Sequence, residues 1–105
     1  MTSAARMDEK LIRAMRRAEK KMAPHMDKYQ SINGMMANLM VIGIAMSVAD
    51  DKEPRASLNA AVKQASTASG IPLDVMRAQA DMHLLAARIS KKSGDQKSRM
   101  PGAVI

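Results

Sequence analysis

Between Ala5 and Tyr29, apolar side chains recur at Met7, Leu11, Ile12, Met15, Ala18, Met22, Met26 and Tyr29, mostly three or four positions apart. That spacing returns to one side of a 3.6-residue turn and predicts an amphipathic helix with a narrow apolar stripe. Ser3 stands where an N-cap belongs, and Glu9 can pair with Arg13 one turn later. Pro24 lacks the N–H that would bond to the Lys20 carbonyl, yet the stripe passes through it in register. One kinked helix and two abutting helices both satisfy this pattern.

From Ile32 to Asp50 the chain contains MMANLMVIGIAMSVA, apolar nearly all round but only fifteen residues long. A membrane span needs roughly twenty such residues. The run therefore predicts a buried central helix and no integral membrane span. Gly34, Gly43 and Ser47 would let a neighbouring helix approach closely, from the same chain or a second copy. The stretch Asp50, Asp51, Lys52, Glu53, Pro54 reads as a turn followed by a helix start. Leu58, Ala61, Val62 and Ala65 then form one face of a third helix, which Gly70 should end.

A fourth helix is expected from Pro72 or Leu73. One apolar row runs Val75, Ala78, Met82, Leu85, Ile89, and an adjacent row runs Leu73, Met76, Ala80, Leu84, Ala87. Two rows make a wide buried face. Asp74 with Arg77, and Arg77 with Asp81, can pair along the polar side. After Ser90 the sequence KKSGDQKSRMPGAVI is polar, basic and punctuated by Gly94, Pro101 and Gly102. It is expected to be a flexible tail. The pattern as a whole predicts an all-α fold: residues 1–90 as one small bundle of four to five helices, and residues 91–105 as a basic tail. Dimerisation could complete the bundle.

Composition sharpens this picture. The 105 residues include twelve Met, one Tyr and neither Phe nor Trp, a balance that favours helices and an easily deformed core. Seventeen Lys and Arg against ten Asp and Glu give a formal net charge of +7, which suits a polyanionic partner. Without cysteine there is no disulfide framework, thiolate site or cysteine nucleophile. Met1 to Arg6 lead straight into a charged helix without the apolar core of a signal peptide, so cytoplasmic residence is the default expectation.

The cations are clustered. Lys10, Arg13, Arg16, Arg17, Lys20 and Lys21 lie opposite the first apolar stripe, and a second group runs from Arg88 through Lys91, Lys92, Lys97 and Arg99. Arg13 with Arg17 and Arg17 with Lys21 repel by a few tenths of a kcal/mol each, a cost that a neutralising partner would remove. A basic helix with a basic tail would bind phosphates with little sequence preference.

The segment AAVKQASTASGIPLDVMRAQADMHLL stops one helix at Gly70 and starts another at Ile71 and Pro72. With Ala61 and Ala65 before the turn, Ile71 behind it and Arg77 soon after, it resembles the helix-turn-helix of bacterial transcription regulators over about 25 residues. The resemblance implies base contacts from Arg77 and Gln79, although Asp74 would meet phosphates unfavourably.

His25 and His83 are far apart and lack companions at metal-ligand spacing. The carboxylate pairs Asp8–Glu9 and Asp50–Asp51 suit helix-start and turn roles. No nucleophile elbow, P-loop or dinucleotide fingerprint occurs, so neither an enzyme nor a bound metal or cofactor is expected. Two function classes remain: a nucleic-acid-binding or regulatory protein, and an adaptor, inhibitor or structural subunit that packs Met-rich and small-residue surfaces against a partner protein or its own copies, its basic face then meeting an acidic protein surface. Binding of the first helix to a membrane surface has the charge but lacks aromatic anchors.

Overall fold

A computed structural model describes the backbone of residues 3–98 and the side chains of residues 8–91. All regular structure within these residues is helical. α1 spans Ser3–Met22, a 3-10 turn follows at Ala23–His25, and α2 is the short helix Met26–Gln30. α3 covers Ile32–Ser47, α4 Arg55–Ser69 and α5 Leu73–Ser98. Pro24 therefore divides the first segment rather than kinking it, since its ring and missing N–H are accommodated in the 3-10 turn.

The corner between α2 and α3 is built by Ser31. Its side-chain oxygen accepts from the Gly34 N–H at 3.1 Å, while its hydroxyl donates to the Lys28 carbonyl at 2.6 Å. One residue thus caps the start of α3 and ties it to the end of α2. α4 ends at Gly70, whose φ of 76° is the left-handed conformation that a glycine adopts without steric cost. Beyond it, Ile71 is fully buried and its N–H is accepted by the Ser69 hydroxyl oxygen.

α5 is the central element, packed against α1, α3 and α4. Its Val75, Met76 and Ala80 meet Ala37, Val41, Ala45 and Val48 of α3, Leu58, Val62 and Ala65 of α4, and Tyr29 of α2 in one core. The apolar run of α3 does not make it the central helix. α3 buries Gly34, Ala37, Val41 and Ala45, a stripe of mostly small residues that lets α4 and α5 come close, with Met40 and Ile44 packed at its flank and Ile32, Met35, Met36, Leu39 and Met46 left outside.

α5 also continues past Ser90, where a flexible tail was expected, and runs through Lys91 and Lys92 to Ser98. A glycine inside a helix costs only about 1 kcal/mol relative to alanine, so Gly94 need not end it. The helix passes unbroken across the expected 90/91 boundary. Residues 99–105 of the expected tail lie outside the described residues.

Candidate functional site

The basic face of α1 is presented as the spacing predicted. Lys10, Arg13, Arg16, Arg17 and Lys20 are exposed, and Ala18, on the other side of the helix, is fully buried. At 3.6 residues per turn the six cations from Lys10 to Lys21 fall within about 140° of the circumference, with Glu9 as the one carboxylate in that arc. Lys21 departs from the group: it is half-buried, and its ammonium pairs with Asp74 of α5 at 3.1 Å. That partner, mainly through a direct hydrogen bond, holds the Asp74 carboxyl below its usual range. The expected pairs of Arg77 with Asp74 and Asp81 do not occur among the described ion pairs.

Lys91 is likewise engaged, 2.6 Å from Asp50 in the α3–α4 connection. Nearby, Arg88 donates from Nε to the Ala49 carbonyl and from Nη2 to the Asp51 carbonyl, satisfying oxygens left free where α3 ends. The side chain of Lys92 lies outside the described residues.

Gln79 requires a correction. It is 0% exposed, and its Oε1 accepts a 2.6 Å hydrogen bond from the Tyr29 hydroxyl, so it cannot reach a base edge without unpacking the core. The same hydroxyl lies 3.5 Å from the Met76 sulfur, and the Gln79 Nε2 has no partner. Burial pushes the Tyr29 hydroxyl up to about 12. Arg77 is half-buried. The α4–Gly70–α5 corner joins two helices through Gly70, Ile71 and Pro72, and the second of them is packed against three others rather than held free for a groove. Burial also lowers the pKa of His83 on that helix, which favours its neutral form.

α3 supplies a feature that the sequence reading missed. Its outer face carries Ile32, Met35, Met36, Leu39 and Met46, with Ile32 72% and Leu39 67% exposed. Ile32, Met35, Leu39, Ile42 and Met46 stand at alternating intervals of three and four, the spacing of a seam between two helices. Gly43 opens onto this face with nothing within 4 Å of where a Cβ would sit. No charged residue lies between Ile32 and Ala49.

Among the described residues no helix is long and apolar enough to cross a membrane, and no cluster of three potential metal ligands forms. Compared with protein-family models, curated proteins and solved structures, the chain matches none of them.

Proposed function

We propose that this chain is a non-enzymatic nucleic-acid-associated protein that grips phosphates through the outer face of α1. The observation behind this reading is that Lys10, Arg13, Arg16, Arg17 and Lys20 are all exposed and lack an ion-pair partner among the described residues. From Lys10 to Lys20 this row runs about 15 Å along the helix axis, enough to follow several successive phosphates of one strand. Contacts of this kind read charge rather than sequence. Base readout through Gln79 is no part of the proposal, because that side chain belongs to the core.

The test is binding to labelled duplex DNA and RNA across a salt series. About five phosphate contacts should give a log–log salt slope of roughly −4 to −5 on duplex DNA. Arg16→Glu, Arg17→Glu and Lys20→Glu together should weaken binding about a hundredfold at low salt and flatten the slope. Equal affinity in the triple variant would sink the reading.

A second reading, an assembly protein that pairs with its own copies, is favoured by the outer face of α3. Full burial of a Leu, Ile or Met side chain contributes about 1.5–3 kcal/mol, and the exposed side chains here are contiguous. The face carries no charge, so two copies of a chain with net charge +7 can meet there without opposing like charges. Measured by sedimentation equilibrium in the same buffers, the protein should be dimeric and insensitive to salt, and Met36→Glu with Leu39→Glu should make it monomeric. A monomer at high micromolar concentration removes this reading and leaves the first intact.

A further inference from the structure

Between the first half of α4 and the middle of α5 lies a recess of about 230 Å³. Its apolar lining comes from Leu58, Val62, Ala80 and Leu84. Four cations, Lys52, Arg55, Arg77 and Arg88, surround this lining together with a single carboxylate, Asp81, and the Asn59 amide. Glu53 borders an adjoining recess beside Lys52 and Arg55. Like charges brought this close repel unless something neutralises them. Neither of the two ion pairs among the described residues involves any of the four.

The site is also partly organised in advance. Arg88 is held by its bonds to the Ala49 and Asp51 carbonyls, which fixes one positive charge beside the recess. α4 begins beside it with Pro54 at the N-cap and no side-chain cap, so first-turn N–H groups add positive potential to that of Arg55.

We propose that this recess binds a phosphate group, carried either by a small organic phosphate or by a nucleic-acid strand. A surplus of three positive charges over Asp81 suits a dianion better than a single carboxylate, and phosphate oxygens match the forked donors of Arg55 and Arg77. The volume falls below the roughly 300–1,000 Å³ of sites that engulf drug-sized ligands. It therefore fits a headgroup on an apolar floor rather than a whole nucleotide. The proposal is independent of the α1 face.

The experiment is an amide and arginine-side-chain NMR titration of the full chain with inorganic phosphate and then pyrophosphate, at an ionic strength held constant with sodium chloride. Saturable shifts are expected at the amides of Arg55, Ala56 and Ser57 and at the Nε–H groups of Arg77 and Arg88. Arg55→Gln with Arg77→Gln should weaken binding at least tenfold. Arg55→Gln alone, at an exposed position, should weaken it measurably without a risk to folding. The α1 triple variant should bind phosphate as the parent does, which separates this site from the nucleic-acid reading. An oligonucleotide that displaces phosphate from these resonances identifies a strand as the source, and failure to displace it identifies a small phosphate. Shifts that do not saturate, that chloride reproduces, or that persist unchanged in the Gln variants overturn the proposal.

Discussion

Gly34→Ala is expected to destabilise the protein by about 3 kcal/mol or more, at the upper end of what added bulk in a packed site costs. A Cβ at this position would fall far inside the van der Waals contact distance of the Lys28 carbonyl oxygen and too close to its carbonyl carbon. Both are backbone atoms and cannot swing aside as the end of a side chain would. The same carbonyl accepts the Ser31 N–H at 3.2 Å and the Ser31 hydroxyl at 2.6 Å, so moving it also breaks the corner that starts α3. Thermal unfolding should show the midpoint falling by more than about 12 °C. Gly43→Ala is the matched control: its Cβ meets nothing within 4 Å, and the change gains about 1 kcal/mol of helix propensity. Equal stability of the Gly34→Ala variant and the parent would show that the α2–α3 approach is looser than described.

Tyr29→Phe should cost about 1–3 kcal/mol, although it removes only one oxygen, because the Gln79 Oε1 is then buried without a partner. Removing both polar groups, with Tyr29→Phe and Gln79→Met together, should recover most of that loss. Chemical denaturation of the two single variants and the double variant gives the coupling directly, and simple additivity would argue against the bond. The hydroxyl also predicts an alkaline limb. Its pKa is raised by burial from 10.0 to about 12 in the folded chain, so the folded state holds this proton more tightly. The resulting stability is complete below pH 10 and is lost as the pH rises through about 12. Tyr29→Phe should remove that limb, and an unchanged alkaline profile would contradict it.

The helices were legible in the sequence because their apolar spacing was regular, but their places in the bundle were not. α3 is apolar on every side, so hydropathy could not indicate which side faces inward. The smaller residues Ala37, Val41 and Ala45 mark the core side and Met36 and Leu39 face solvent, but Met40 and Ile44, just as large, pack against the core, so size alone marks only the centre of the buried stripe. Gln79 was misread from its chemical type. Its position between Val75 and Met76 on the helical wheel carried the signal that it is buried. The α1 cations were the most legible part of the candidate surface, since charged residues opposite an apolar stripe have only one side to occupy. The recess was invisible because Lys52 and Arg55 meet Arg77 and Arg88 only once α4 folds back along α5.

The outward turn of α3 also sorts the thioethers of the chain by their access to oxidants. Met35, Met36 and Met46 are open to peroxide, whereas Met76 is sealed in the core beside Tyr29. Adding one oxygen to each exposed sulfur would turn an apolar face polar while leaving the helix backbone untouched, and sulfoxide reductases could reverse the change. Among the described residues the three most exposed methionines all lie on this face, so the apolar face open to a second copy is also the one most sensitive to oxidation.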